Sequence, residues 1–215
     1  MLSVDGSYGE GGGQILRTAL ALAALTGVPV RIERIRARRS KPGLRPQHLT
    51  AVQAVARVSQ AEVTGVHLGS QALTFRPRTP QGGHYLFDVA SMTGSAGAVT
   101  LVAQALLPPL IKAGAPATVI LKGGTHVPWS PPAHYLSHVF LPALAAMGAE
   151  VEMTLERWGW YPRGGGEMRL TIRGRAPLMV RRSSPPPRGY QPQRSRVIST
   201  SAPMAARAGR KTWLR

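Results

Sequence analysis

The chain has 215 residues, of which 43% are hydrophobic and none is cysteine, and its formal net charge is +18. The lack of cysteine excludes disulfides, thiolate zinc sites and cysteine nucleophiles. The sequence has neither a run of 18 apolar residues, which would predict a membrane span, nor a charged-then-apolar leader, which would predict a signal peptide. These features indicate a soluble, cytoplasmic protein of one or two compact units.

The predicted elements occur in the same order twice. The first set is a helix at 14–25, a strand at 29–35, a helix at 48–58 and strands at 61–68 and 72–75. The second set is a helix at 98–107, a strand at 117–122, a helix at 135–147 and strands at 150–156 and 167–173. A period this long indicates two copies of a small α/β unit, predicted at 1–88 and 89–175.

Apolar spacing predicts which helix faces are buried against one side of each sheet. Pro108 and Pro109 are expected to bend or end the first helix of the second copy, because each lacks a backbone donor. The predicted buried stripe of the second helix is Leu49, Val52, Val55 and Ala56. The corresponding stripe in the second copy is Leu136, Val139, Phe140, Leu144 and Met147.

A glycine-rich segment, DGSYGEGGG at 5–13, precedes the first predicted helix. Glycine lets a backbone approach a ligand closely, and the free N–H groups of a helix start favour an anion. A flexible turn is the alternative, since the segment matches neither a P-loop nor a dinucleotide fingerprint. Arg17 lies one turn inside the apolar helix, where a charge either binds a ligand or extends to solvent.

Basic residues concentrate in two regions. Seven of the 15 residues at 31–45 are Lys or Arg, which indicates either nucleic-acid contact or a solvated charged face. Residues 173–215 hold 11 of the 27 Lys and Arg residues and no acid. We expect 176–215 to be an irregular, Arg/Pro-rich tail, either an out-of-frame or truncated C-terminus or a basic arm for RNA backbone.

Several motifs, taken together and in order, resemble the RNA 3′-terminal phosphate cyclase family. The longest are GEGGGQILR at 9–17, IRARRSKPGL at 35–44 and QHLTAV at 47–52. The others are GSAG at 94–97, GGT at 123–125, SPP at 130–132 and YPRGGG at 161–166. The resemblance extends from about residue 2 to about residue 175.

This resemblance implies an α/β fold of α+β-type repeated units, with two consecutive βαβαββ-like units of a three-unit large domain. It also implies a ligase of RNA processing that uses ATP and a divalent metal, Mg or Mn. In the family a histidine is adenylylated, AMP passes to an RNA 3′-phosphate, and the neighbouring 2′-hydroxyl attacks to leave a 2′,3′-cyclic phosphate. The implied partner is RNA with a 3′-phosphate end.

The resemblance also assigns roles to individual positions. Those implied to act at the phosphates are Glu10, Arg17, Arg36, Arg39 and Lys41. Glu10 is further implied to hold the metal or to orient an arginine. Those implied to contact the nucleotide are Gln104, Pro131, Gln47, Gly11, Gly12 and Gly13. Ordinary surface placement is the alternative for each residue taken singly.

The sequence departs from the family in ways that bear on activity. The family's nucleophilic histidine belongs to the third unit, and no histidine of this chain follows His138. His126 and His134 do not match the nucleophile motif and are predicted to be surface or loop-bracing residues. Residues 88–93 form a longer loop than the family's. A noncatalytic RNA-binding relative of the ribosome-biogenesis type is therefore the alternative function.

Overall fold

In the computed structural model, residues 1–89 and 96–174 are described. The predicted tail at 176–215, most of the 88–93 loop and the first half of the GSAG motif lie outside these residues. Within them, no helix combines the length and hydropathy needed to cross a lipid bilayer.

The first half of the chain forms a four-stranded sheet with two helices. Its elements are β1 (Leu2–Asp5), α1 (Gly13–Thr26), β2 (Val30–Glu33), α2 (Pro46–Val58), β3 (Glu62–Thr64) and β4 (Leu73–Arg76). The strand order is β1-β2-β4-β3; β1 is parallel to β2, and the other two pairs are antiparallel.

The second half repeats this arrangement. Its elements are β5 (Gly83–Asp88), α3 (Val99–Ala113), β6 (Ala117–Gly123), α4 (Ala133–Tyr135), a π-helical turn (Leu136–Phe140), α5 (Leu141–Ala146), β7 (Val151–Arg157) and β8 (Gly166–Ile172). The strand order is β5-β6-β8-β7, with β5 parallel to β6 and the other pairs antiparallel. The predicted α/β repeat is thus confirmed.

Two edge strands were absent from the predicted elements. β1 and β5 each pair with only one neighbour, and β5 joins the second sheet, which therefore begins at Gly83 rather than at 89. The predicted strands at 29–35 and 61–68 are shorter than expected. Arg34 and Gly65 have φ values of 51° and 78°, which take the backbone out of the extended region directly after β2 and β3.

Each sheet buries one face under the helices. Alternate residues of β6 and β8 are buried, as are Val30 and Ile32 of β2 and Leu73 and Phe75 of β4. This period-2 pattern agrees with helices on one side of each sheet. The buried residues of both halves form one continuous core.

Helices α1 and α2 join the two halves, since both pack against α3. The predicted stripe of α2 is buried at Leu49, Val52 and Val55, and this helix also packs against α1 and β5. The guanidinium of Arg57 lies 5.7 Å from the ring centre of Tyr85. The first half of the chain therefore covers the helix–strand face of the second half.

The prediction for the corresponding stripe in the second half is confirmed at Leu136, Phe140 and Leu144, which lie in or against the core, and is wrong at Val139 and Met147. Leu136 is fully buried, but Val139 and Met147 are 51% and 37% exposed. The physical reason is the π-helical turn, which contains an extra residue per turn and changes which residues face the core. The next buried leucine is therefore Leu141, five positions after Leu136.

Of the two outcomes expected for Pro108 and Pro109, a bend or an end of the helix, the second is wrong, since α3 continues to Ala113. The helix is stabilised by tertiary packing, because Leu106, Leu107 and Leu110 on either side of the prolines are completely buried. Such packing outweighs local propensity when a helix crosses the core. The helix ends instead at Gly114, which adopts a left-handed conformation with φ 65°.

In the second half, α2 packs against α3 and β5. The equivalent face of the first half, formed by α1 and β1, is open. A groove of about 600 Å³ lies between β1 and α1, with a lining that includes Leu2, Ile15, Leu22 and Val28. Leu2, Leu22 and Val28 are all about half exposed. Contiguous apolar surface of this kind favours association with other apolar surfaces.

We expect Leu22→Lys to reduce self-association of the chain, because it places a charge at the centre of this groove on an exposed helix position. Leu86→Lys is the matched control, since Leu86 has the same 52% exposure but lies outside the groove lining. Sedimentation velocity at several concentrations measures the effect, with thermal melting to check folding. Equal behaviour of the two variants would contradict the expectation.

Candidate phosphate-binding cleft

The glycine-rich segment leads into α1 without a side-chain cap. Gly12 is the N-cap residue, it makes no side-chain capping bond, and the first turn contains no acidic residue. The segment itself is ordered by local contacts: the Ser7 N–H and hydroxyl both donate to Asp5 Oδ1, and the Gly11 N–H donates to the Tyr8 carbonyl. The start of α1 therefore presents free N–H groups and the positive end of the helix dipole.

Arg17 lies against this helix start and is 8% exposed. Its Nη2 donates to Gln14 Oε1 at 3.2 Å, and no carboxylate lies within ion-pair distance of it among the described residues. Burial lowers the pKa of Arg17 to about 10, so the side chain stays charged at neutral pH. A buried cation without a carboxylate partner is costly, and an anionic ligand would remove that cost.

His48 packs beside Arg17 at the second helix start. Its Nδ1 accepts a hydrogen bond from the Arg45 N–H at 3.1 Å, which leaves the other ring nitrogen, Nε2, as the protonated one. A Cβ added at Gly13 would lie only 2.2 Å from that Nε2. Only glycine at position 13 allows the two helix starts to approach this closely.

His48 is held in its neutral form. Burial is the main cause that lowers its pKa to about 3, and the neighbouring cations Arg36, Arg17 and Arg45 add to the shift. A neutral imidazole fills the space between these guanidinium groups without adding a further charge. His48 is therefore a positioning residue that the sequence analysis did not single out.

Arg39 lies on the open side of the same cleft. Its Nη2 is 3.5 Å from Glu10 Oε2, and it would lie 3.3 Å from a Cβ added at Gly12. The side chains of Arg39 and Glu10 are 43% and 94% exposed, so this ion pair is solvated and easily replaced. Arg39 is thus free to contact a ligand at the start of α1.

Arg36 braces the loop as well as adding charge. Its φ of 53° is left-handed, and its Nη1 donates to the carbonyls of Lys41 at 2.7 Å and Gly43 at 2.9 Å. Burial, followed by Arg45 and Arg39, lowers its pKa, which shows that these cations lie close together. Lys41 is exposed and joins the group through its backbone carbonyl rather than its ammonium.

The implied nucleotide residues lie along α3 and the loop before it. Gln104 and Arg17 line the same cavity of about 150 Å³ between α1 and α3. Pro131 is held one helical turn away, because its carbonyl accepts from Thr100 Oγ1 at 2.7 Å. Gln47 lies next to Gly97, where an added Cβ would be 3.4 Å from the Gln47 Cβ.

The structure therefore brings together Glu10, Arg17, Arg36 and Arg39 around Gly12, Gly13 and His48, with Gln104 on the far side of Arg17. Lys41 and Pro131 are at the edges of this group. The arrangement has an excess of guanidinium groups over carboxylates and an uncapped helix start. Both features suit a phosphate group.

We expect His48→Asn to remove part of the acid sensitivity of folding, because asparagine can accept the Arg45 N–H bond without titrating. In the unfolded chain His48 titrates near 6.5, and in the folded chain near 3. Between these two pH values the unfolded state binds more protons than the folded state. The contribution of His48 to the free energy of unfolding is therefore fully present above about pH 6.5 and is lost as the pH falls towards 3. The slope from this group is at most about 1.4 kcal/mol per pH unit.

Urea unfolding of both proteins between pH 6.5 and 4.5 measures this effect as the difference between their slopes. Carboxylates titrate in both proteins and cancel in that difference. Parallel slopes would show that His48 titrates in the folded protein as it does in the unfolded chain.

The chain matches the family model described as RNA 3′-terminal phosphate cyclase over residues 8–183. Proteins named RNA 3′-terminal phosphate cyclase from Gloeothece citriformis and Methylococcus capsulatus are 58% and 59% identical to it, over 83% and 81% of this chain and 52% and 49% of the relatives. The protein of that name from Archaeoglobus fulgidus is 49% identical over 80% of this chain and 52% of its own length.

The chain thus spans about half the length of the curated relatives it matches. The family model matches from residue 8 onward, so the match includes most of the glycine-rich segment, the basic loop and strands β2 to β8. The chain belongs to the RNA 3′-terminal phosphate cyclase family.

Proposed function

We propose that the cleft binds the terminal phosphate of an RNA 3′ end for ATP-dependent conversion to a 2′,3′-cyclic phosphate through adenylylated intermediates. The observation that carries this proposal is Arg17, a buried cation at the uncapped start of α1 that has no carboxylate partner among residues 1–89 and 96–174. The family assignment supplies the reaction class. A terminal phosphate has the charge and the acceptor oxygens that this site lacks.

The cleft residues divide the work of holding that phosphate. Arg17 and the first N–H groups of α1 approach it from below, and Arg39 closes over it from the solvent side. The planar guanidinium groups grip phosphate oxygens in a bidentate way and stabilise charge as it shifts in the transition state. His48 and Arg36 keep these donors in place.

A nucleotide fits this edge only in part. The cavity between Gln104 and Arg17, at about 150 Å³, is smaller than the clefts that usually enclose such ligands. Gln104 would donate or accept at the base, Pro131 would offer a flat apolar surface to it, and Gln47 with Gly11–13 would approach the phosphates. When bound, ATP supplies a good leaving group, because AMP is expelled more easily than oxide.

A divalent cation fits the cleft as a phosphate-bound ion. The described residues contain no group of three or more histidines or carboxylates able to hold a metal by themselves. Glu10, which is exposed at the mouth of the cleft, offers one carboxylate. Mg²⁺ and Mn²⁺ sites of this kind take their remaining ligands from phosphate oxygens and water.

We expect Arg39→Ala to weaken binding of RNA with a 3′-phosphate by about 1.5–3 kcal/mol, the range for a charge-assisted contact. Arg31→Ala is the matched control. Arg31 belongs to the same basic run, but it lies outside the cleft and forms an ion pair with Glu33 at 2.7 Å. Fluorescence anisotropy with 3′-phosphate and 3′-hydroxyl versions of one oligonucleotide measures the effect. Equal losses of affinity in the two variants would show that Arg39 belongs to a solvated charged face rather than to a phosphate site.

We expect the chain alone to leave RNA 3′-phosphate ends uncyclised. All six of its histidines lie at or before position 138, and none matches the family's nucleophile. Loss of a nucleophile lowers the rate by orders of magnitude and leaves only binding and electrostatic assistance. The measurements are cyclic-end formation on labelled RNA and acid-labile labelled AMP on the protein.

A second candidate is noncatalytic RNA binding, which the excess of guanidinium groups in the cleft supports without a nucleophile. It predicts preference for a 3′-phosphate end without any protein-bound AMP. Robust ATP-dependent cyclisation would overturn this second candidate and the preceding expectation. His126 would then be the first histidine to replace.

A further inference from the structure

Four rings outside the phosphate cleft form one cluster, which we call the aromatic–histidine cluster: His126, His134, Trp158 and Trp160. The His126 ring lies 4.7 Å from Trp158 and 4.8 Å from Trp160, measured between ring centres. The two indoles are 5.8 Å apart and nearly parallel, with 11° between their planes. His134 joins the group at 5.0 Å from both His126 and Trp158.

The cluster lies at the surface although it contains two large indoles. Trp158 and Trp160 are 49% and 57% exposed. Half-exposed parallel indoles lose much of the burial that usually stabilises tryptophan. About half of each indole is therefore accessible to a ligand.

The backbone fixes these rings in place. Gly159 lies between the two tryptophans, and a Cβ added there would lie 2.3 Å from the Gly123 carbonyl oxygen at the end of β6. The Gly159 N–H donates to Thr125 Oγ1 at 2.9 Å, and its carbonyl accepts from the N–H groups of Thr125 and His126. The tryptophans are thus held by a close backbone contact, and little ordering is needed when a ligand binds.

Hydrogen bonds also fix the histidines. Thr125 Oγ1 lies 2.8 Å from His126 Nδ1, and His126 Nε2 lies 2.9 Å from His134 Nδ1. The donor in each of these contacts depends on the tautomers of the two rings, and the Thr125 hydroxyl can also donate to the Gly159 carbonyl at 3.3 Å. Burial, followed by His134, lowers the pKa of His126, which keeps that ring neutral.

Cations flank the cluster. Arg157 precedes Trp158, and Arg163 follows Trp160 in the exposed loop before β8. Arg157 donates to the Gly165 carbonyl at 2.6 Å and lies 3.9 Å from Glu167, whereas Arg163 has no acidic side chain within ion-pair distance in the described part of the chain. Accessible aromatic rings and adjacent cations are the combination that binds single strands, through stacked bases and backbone phosphates.

We propose that the aromatic–histidine cluster stacks nucleobases of a single-stranded RNA whose 3′ end occupies the phosphate cleft. This inference rests on the proposed function for its choice of ligand. The path between the two sites is short. Gln47 contacts Gly97, the Gly97 carbonyl accepts from the Gly124 N–H at 2.9 Å, and Thr125 and His126 follow directly.

The test compares two labelled RNAs of equal length and phosphate number, one with normal bases and one with abasic residues upstream of the last nucleotide. We expect Trp160→Ala in the full chain to weaken binding of the normal strand by about 5- to 100-fold, the usual effect of losing one stacked base. The same variant should bind the abasic strand as the parent protein does. Trp160→Phe should recover most of the loss.

Trp129→Ala is the matched control. Trp129 is fully exposed and has no ring contact among the described residues, so its removal should leave RNA affinity unchanged. The basic tail is present in every variant and cancels in each comparison. If Trp160→Ala does not fold, quenching of tryptophan fluorescence in the parent protein by the normal but not the abasic strand provides the second measurement.

Unchanged affinity of a folded Trp160→Ala variant, or an equal loss for the abasic strand, would overturn the proposal and leave the cluster as a surface for protein contacts. Failure of the proposed function is distinguishable from this result. Equal affinity for 3′-phosphate and 3′-hydroxyl RNA would contradict the cleft assignment, whereas a loss specific to strands with bases would still support stacking.

Discussion

The buried positive charge of Arg17 is the constraint on which the cleft depends. Among the described residues, its guanidinium donates to the neutral side-chain amide of Gln14 and not to a carboxylate. Each neighbour must therefore tolerate an uncompensated cation. His48 does so by remaining neutral, and Gly13 does so by leaving room for both side chains. The cost is met by the rest of α1, where Leu16 and Leu20 are fully buried. Core packing thus stabilises a helix whose first turn is electrostatically unfavourable without a ligand.

The internal repeat explains how one fold carries two different surfaces. Both halves have the same strand order, and each places a glycine-rich loop before a helix. In the first half the loop between β2 and α2 carries guanidinium groups, and in the second half indole and imidazole rings come from the segments after β6 and after β7. Because the framework is shared, the loops can differ without changing the sheets. In the proposed RNA complex the two surfaces have different tasks, since phosphate contacts position a strand and base contacts hold its remainder.

The sequence was informative where a local signal and tertiary packing agree. The helix starting after Gly12 and the buried stripe of α2 were predictable from spacing, and the basic cleft was predictable from motifs. The π-helical turn at Leu136–Phe140 was not, because Leu136, Val139 and Phe140 have the spacing of an ordinary α-helical stripe. His48 was also missed as a site residue. A histidine three residues after a helix N-cap could have indicated a capping role. Its contact with the start of α1 depends on the tertiary structure and could not be predicted from local sequence.

The basic loop shows why residue type alone cannot assign roles in such a run. Arg31 and Arg34 pair with Glu33 and Asp5, and Arg36 is directed into the loop backbone, where it holds two carbonyls. Only Arg39 both reaches the start of α1 and remains accessible. The left-handed conformation of Arg36 sets this division, because it turns the chain so that successive arginines face different partners. Charge density attracts an anion to this surface, and backbone geometry decides which side chain meets it.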